Sequence, residues 1–437
     1  MVENDFLKHL NRNGNIRVVI GNGFDLFCGI HTTYSDYYCK NWRKYISIQA
    51  IIDNYVNQNH DIDFSNNVVN SYNVWDVFFA LHSDKDPRKC KQKWCDIEKL
   101  ILASLIREKS MTVSKEMKEI GSLSIIHWPD LKHYLNSKAT HPDLRNRLMA
   151  EFVDNKMNQG GYISSDYYDF LLDQLHTFEV DFGRFISSQI MGSLSNENGN
   201  SLHLNGCYYR KVKNLLKELC PLENTIRVDT FNYSDLVRPL SSVNCDVEIV
   251  LNHINGSCSN PIFGIDSKFS PSDPRFIFTK TSRRIESKMV FKNYLSEESF
   301  NHVVIFGHSL DEADYSYFFP IFDKLNMLDS NAKGTLVFAF NIYDSKKTKS
   351  IKKNLRQGVS KMLYNYALEH QVSNPNRFLD SVSTQKRILF YEVKNTNKRD
   401  SEKEIDRFEE EWKKTIEMME LELEAKSVAE KINQPIK

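Results

Sequence analysis

Residues 16–37 read IRVVIGNGFDLFCGIHTTYSDY, a strand pattern running into a glycine-bracketed turn. The apolar run Ile16 to Ile20, interrupted only by Arg17, meets Gly21-Asn22-Gly23 and then a helix-compatible segment carrying Asp25. A buried strand that ends in two glycines one residue apart turns sharply and leaves no side chain between its amides and an incoming phosphate. That is the physical content of a nucleotide-binding first turn. The third glycine of G-x-G-x-x-G would fall at Leu26, so the motif is incomplete and a tight turn without a ligand accounts for it as well.

Outward from this stretch, strand patterns are unevenly distributed. Residues from about 36 to 222 carry helical spacing, as in Trp94 to Arg107 and Phe170 to Ile186, and little β pattern. Met191 to Leu204 reads as an exposed polar loop. From about 225 onward short apolar runs return: Ile226 to Tyr233, Val247 to His253, His302 to His308, Thr335 to Phe340 and Arg387 to Val393. Interleaved helical patterns, Tyr315 to Leu325 and Lys346 to Tyr366, predict a parallel sheet covered on both faces. With Ile16 to Ile20 this gives six strands, drawn from both ends of the sequence, with a helical block inserted after the first βα unit. The expected organisation is a discontinuous sheet domain at 1–35 and 223–400, a helical insertion at 36–222 and a charged helix at 401–437.

The chain has 437 residues and 57 basic against 57 acidic side chains, so its summed charge calls for neither nucleic acid nor membrane. The basic run Lys346 to Lys353 reads as a solvated helix face. Eight cysteines without a C-x-x-C pair read as reduced thiols, and no group has metal-ligand spacing. The first residues lack the apolar core of a signal peptide and no run approaches a membrane span, so a cytoplasmic location is expected.

In a parallel sheet, ligands collect at the carboxyl ends of the strands. Five such ends are polar: Gly21-Asn22-Gly23 with Asp25, Asn232-Tyr233-Ser234-Asp235, His253-Ile254-Asn255-Gly256-Ser257, Gly307-His308-Ser309 with Asp311 and Asp314, and Asn341 with Asp344. Each is readable as a satisfied turn. Together they would line one crevice with amides, hydroxyls and carboxylates, which suits a ribose and phosphate ligand. In the insertion, Glu98 and Glu179 read as carboxylates tying the helical block to the sheet, or as metal or sugar contacts. Arg283 and Arg284 would meet a phosphate or solvent.

Gly21-Asn22-Gly23-Phe24-Asp25-Leu26, followed by Gly29-Ile30 and Thr33-Tyr34-Ser35-Asp36, resembles the opening motif of the AbiH family of bacterial abortive-infection proteins. Later stretches follow in order: Trp94 with Asp96-Ile97-Glu98, Phe178-Glu179, Phe231-Asn232-Tyr233, His253-Ile254-x-Gly256, Phe263-Gly264-Ile265-Asp266, and Phe306-Gly307-His308-Ser309-Leu310 with Asp314. The resemblance implies defence against bacteriophage. More distantly, the order G-x-G, Asn-x-x-Asp, His-x-x-Gly, G-x-S-L is similar to the sirtuin fold and its NAD-consuming antiphage relatives.

That second likeness implies a Rossmann-like (sirtuin-like) sheet and NAD as substrate or ligand. Carried over by position, Asn232 orients the nicotinamide ribose and attacking group and Asp235 holds the ribose side, while the base position falls on Asn255, so that His253, one step back on the same strand face, is the candidate base. Gly21, Asn22, Gly23, Asp25, Thr33, Gly256, Gly307, His308, Ser309 and Asp314 then surround the nucleotide. Two departures stand out: the acid follows Ser234, one residue later than in Asn-x-Asp, and Asn255 replaces the second histidine of His-Ile-His-Gly. Either His253, or His308, supplies the base for NAD hydrolysis, or the chain senses a nucleotide without cleaving it and acts through a phage or host macromolecule. Self-association is left open.

Overall fold

The computed structural model describes Leu7 and residues 15–57, 70–82, 94–105, 144–194, 207–221, 225–235, 248–265, 269–286 and 300–393. The charged helix expected over 401–437 lies outside the described residues. The chain divides into two compact units. The first is Met1–Phe340 with Lys349–Tyr391, and the second is Asn341–Thr348 with Glu392–Lys437. In the second unit, Asp344 caps a short 3-10 turn, Ser345–Lys347, by accepting from the Lys346 N–H at 2.9 Å.

The described strands are β1 (Ile16–Ile20), β2 (Thr225–Thr230), β3 (Glu248–His253), β4 (Gly256–Ser257), β5 (Asn260–Pro261), β6 (His302–Phe306), β7 (Thr335–Phe340) and β8 (Ile388–Glu392). β4 and β5 form a two-residue antiparallel hairpin. The other six make one parallel sheet in the order β3-β2-β1-β6-β7-β8. Setting the hairpin aside, this is the doubly wound 3-2-1-4-5-6 order, whose switch point lies between β1 and β6. All six strands coincide with the six apolar runs of the sequence. Two runs overreach. β2 stops at Thr230 because the Asn232 N–H turns back onto the Thr230 hydroxyl at 3.0 Å. β6 stops at Phe306 because Gly307 takes φ +67°.

Between β1 and β2 every described element is helical: α1 (Asn22–Cys28), α2 (Tyr34–Lys40), α3 (Trp42–Asn57), α4 (Val74–His82), α5 (Trp94–Leu105), α6 (Leu144–Gln159), α7 (Tyr167–Leu194) and α8 (Cys207–Leu219). α7 runs past Met191, into the stretch expected to be loop. After the hairpin come α9 (Lys280–Glu286), α10 (Tyr315–Lys324), α11 (Thr348–Glu369) and α12 (Pro375–Thr384). No described helix is long and apolar enough to cross a membrane. Among the described residues, Cys28, Cys39, Cys220 and Cys258 form no disulfide.

Strand alternation and register sort the sheet into two faces. Val19, Val303, Ile305, Leu336 and Phe338 share one face and pack with Phe318 and Phe322 of α10, Met362, Leu363 and Tyr366 of α11, and Phe378 and Val382 of α12. On the other face Phe306 meets the rings of Phe24 and Phe27 from α1, at 6.2 and 5.6 Å. There α8 reaches β8, where Tyr391 Oη donates to Glu218 at 3.0 Å.

Arg17, the charged residue inside the first strand, lies on the α10 face and is buried. Its Nη2 donates to Asp229 Oδ1 at 2.8 Å and its Nε to Asp229 Oδ2, across β1 and β2. Asn252 Nδ2 of β3 adds a third donor to Asp229 at 2.9 Å. Three neighbouring strands are thus pinned in register by one carboxylate. Removing one partner would strand the other charge in the core. Arg17→Ala or Asp229→Ala is therefore expected to cost about 3–5 kcal/mol, against a smaller loss for Arg17→Leu with Asp229→Leu, measured by urea unfolding.

Candidate functional site

At the switch point, the turn after β1 and the end of β6 touch backbone to backbone. Gly21 N–H donates to Phe306 O at 3.0 Å and Gly23 N–H to Gly307 O at 2.8 Å, while Phe24 N–H closes on Gly21 O at 2.8 Å. A Cβ on Gly21 would lie 2.7 Å from His308 Cα, and one on Gly23 2.7 Å from Gly307 Cα. The glycines are thus required by this contact, and the Gly21 and Gly23 amides are committed to β6.

Beneath the turn lies Asp25, fully buried in α1. Its Oδ1 accepts from Asn232 Nδ2 at 3.0 Å and Ser234 Oγ at 2.9 Å, and its Oδ2 lies 3.0 Å from Thr32 Oγ1. Asn232 Nδ2 also donates to Gly21 O at 3.0 Å. Burial raises the Asp25 carboxyl from 3.8 to about 6, against the three hydrogen bonds. Thr32 Oγ1 also sits 2.8 Å from Asn22 Oδ1, and a hydroxyl has one proton to give. Below about pH 6 protonated Asp25 donates to Thr32 while Thr32 donates to Asn22, and above it the carboxylate accepts from the Thr32 hydroxyl.

His253, at the end of β3, comes next. Its Nδ1 is 3.2 Å from Asn232 O; a carbonyl only accepts, so Nδ1 carries the proton and Nε2 holds the lone pair of the neutral ring. Burial lowers its pKa, opposed by the Asn232 carbonyl, the Asp235 carboxylate and the Gly256 carbonyl. The neutral imidazole therefore prevails at pH 7, as a general base requires.

His308 is held differently. Leu310, at φ +56°, bends the loop so that its N–H donates to His308 Nδ1 at 2.9 Å. His308 Nε2 then faces Asp314 Oδ2 at 3.3 Å, with the ring packed between Phe231 and Phe318 at 4.4 and 5.1 Å. Both nitrogens are engaged inside the protein. Asp314 Oδ1 also accepts from Lys280 Nζ at 2.6 Å, and Lys280 reaches Glu98 of the helical block at 3.1 Å. Burial alone would raise Asp314, but Lys280 and His308 outweigh it and hold it well below the carboxylate range. Burial raises Glu98, on the far side of the same ammonium.

Beside this chain, Arg283 Nη2 grips both oxygens of Glu179 at 2.9 and 2.6 Å, and the Phe263 N–H adds a bond at 2.6 Å. Burial pushes Glu179 up to about 7 against these partners. Both carboxylates tie the helical block to the sheet, one of the two roles read from the sequence, and Arg283 is buried against Glu179.

Four of the five polar strand ends are thus joined by direct contacts: Gly21–Gly23, Asn232, His253 and Gly307-His308. Asn341 and Asp344 belong to the second unit. Thr33 accepts from the Asp36 N–H at 3.1 Å as the cap of α2, in a capping box that the spacing Thr33-x-x-Asp36 spells out. Gly256 opens the hairpin, Ser309 is exposed, and Asp235 lies near enough to His253 to act on its charge. The sequence reading missed Thr32, adjacent to the threonine it chose, and Lys280, which no spacing distinguishes from a surface lysine.

Because the folded chain holds the Asp25 proton more tightly than the unfolded chain does, stability is greatest below pH 4 for this group. It falls by roughly 3 kcal/mol as pH rises from 3.8 to about 6, and is flat above. Asp25→Asn places an N–H where the carboxyl proton sits. It is expected to keep the fold and remove this slope in urea unfolding between pH 4 and pH 7, whereas Asp25→Ala lowers stability throughout.

No curated protein and no solved structure matches the chain significantly. A family model described as bacteriophage abortive infection AbiH matches residues 18–338, from within β1 to within β7. The matched span contains the glycine contact, the Asp25 network, His253 and both carboxylate ties, and the chain belongs to the AbiH family of bacteriophage abortive-infection proteins.

Proposed function

We propose that the protein acts in phage defence by binding NAD, or a nucleotide like it, at the carboxyl edge of β1, β2 and β3 and hydrolysing its nicotinamide N-glycosidic bond. The observation that carries this reading is His253. It is a neutral imidazole at the end of β3, two strands from β1 and linked to the Gly21 turn through Asn232, its tautomer set by the Asn232 carbonyl and its basic Nε2 opposite the hydrogen-bonded edge. In this reading Gly21, Gly23, Gly307, Asp25 and Asn232 are the rigid floor, and His253 and Asp235 are the groups that meet the ligand. The committed Gly21 and Gly23 amides fit a floor better than a diphosphate cradle.

NAD supplies a C–N bond that breaks with its electron pair on nicotinamide, as water adds to the ribose carbon and one proton is released. His253 takes a proton from the ribose hydroxyl or from the water, and Asp235 steadies the imidazolium that forms. The Asn232 side chain is spent on Gly21 and Asp25, so it orients the base through its carbonyl.

One observation favours a second reading. Asn255, buried at the position of a second histidine, cannot accept a proton at neutral pH, and a nucleotide sensor acting through a macromolecular partner needs no base.

The test is NAD titration and turnover with purified protein, with NAD content measured in phage-challenged cells. The native chain is expected to bind and cleave NAD, and His253→Ala to bind with turnover reduced at least about a hundredfold. Binding without turnover would select the sensor. No binding, with protection intact, would overturn both.

A further inference from the structure

The sequence from Ser345 to Leu368 contains no Asp or Glu. Within α11 it places Lys349, Lys352, Lys353 and Arg356 at i, i+3, i+4 and i+7, one stripe along the first turns of the helix. Lys349, Lys353 and Arg356 are exposed. Lys352 is half-buried, its Nζ 5.6 Å from the ring centre of Phe340, which places the stripe at the carboxyl end of β7. The core-facing residues of α11, Leu355, Val359, Met362, Leu363 and Tyr366, lie roughly a quarter turn round. Lys361, the next basic residue, is taken by Glu312 at 2.6 Å.

Helix physics disfavours this arrangement. The amino end of a helix carries the positive pole of its dipole, so carboxylates are stabilising there and cations are not. The pairs Lys349–Lys352, Lys349–Lys353, Lys352–Arg356 and Lys353–Arg356 add like-charge repulsion at helical-neighbour spacing. A solvated face with nothing to bind gains from acidic residues at these positions, and this one has none. A line of phosphates along the stripe reverses both penalties, since each meets a cation and the helix's positive pole together.

We infer that this stripe is a docking surface for the phosphate backbone of a nucleic acid. An anionic membrane is the competing polyanion, but a helix that lies on a bilayer inserts an apolar face. The apolar residues of these first turns are not exposed. The exposed large apolar residues of α11, Tyr364 and Leu368, stand at least two turns further on. The surface does not depend on the NAD reading, and it identifies a class of macromolecule that the summed charge of the chain conceals.

The test is fluorescence anisotropy of a labelled mixed-sequence DNA duplex and a labelled RNA strand with the full chain, beside pelleting with phosphatidylserine vesicles. Neutralising three phosphates with Lys349, Lys353 and Arg356 predicts an affinity that falls on the order of fortyfold between about 50 and about 200 mM salt. Lys349→Glu/Lys353→Glu/Arg356→Glu is expected to lose at least about tenfold at the lower salt and to melt no lower than the native chain, since it relieves the repulsion. Lys349→Arg/Lys353→Arg/Arg356→Lys is expected to bind as the native chain does. Absence of DNA and RNA binding at the lower salt, equal binding by the charge-reversed variant, or retention by vesicles alone would each overturn the assignment.

Discussion

Backbone touching backbone at the switch point governs the rest of the site. Nothing larger than hydrogen fits at Gly21 or Gly23, because β6 turns away directly above them at Gly307. That contact fixes Gly21 O, onto which the Asn232 amide closes, and Asn232 in turn fixes His253 through its carbonyl. Each later contact takes its position from the one before, so a side chain introduced at the first step displaces all of them. Under the hydrolase reading proposed above, a rigid floor of this kind would matter, since a base misplaced by an ångström loses most of its effect.

The second constraint is the length of chain between neighbouring strands. β1 and β2 lie side by side with the whole helical block between them, yet loop closure costs only about 0.6 kcal/mol for each doubling of length. The cost is met by packing at the carboxyl edge. Tyr37 of α2 meets Phe178 and Phe182 of α7 edge to face, at 5.6 and 5.4 Å, and both phenylalanines reach Phe263 at 5.6 and 5.5 Å. Tyr233, three residues past the end of β2, completes the group, lying 5.7 Å from Phe182 and from Phe263. Aromatic burial supplies the free energy. The ties Glu98–Lys280–Asp314 and Glu179–Arg283 add little net stability after desolvation, but a misdocked block would leave their charges buried and unpaired.

Much of this was readable in the residues. Six apolar runs became six strands, because a parallel sheet buried on both faces demands continuous apolar sequence. Arg17 was visible as an exception but not explicable, since its partner Asp229 lies more than two hundred residues away and only the register brings them together. Thr33 illustrates a competing signal: its capping-box spacing was local and legible, and the hydroxyl that reaches Asp25 belongs to its neighbour Thr32. Lys280 was illegible for a different reason. A lysine is read as solvated until the carboxylates that hold it are placed, and these come from a helix and a loop distant in sequence.

The balanced total of basic and acidic residues hides how charge is distributed. Of the carboxylates of the carboxyl edge, Asp25 and Glu179 are buried and Glu98 and Asp314 largely so, and each is paired with a cation or raised toward neutrality, so little of their charge reaches solvent. Exposed cations of α11 have no such compensation within their own helix turns. At physiological salt a partner senses charge within about 8 Å, which is shorter than the first eight residues of that helix. A sum over the whole chain therefore says nothing about the field at any one face. What an approaching ligand meets is set by which charges folding has buried and which it has left outside.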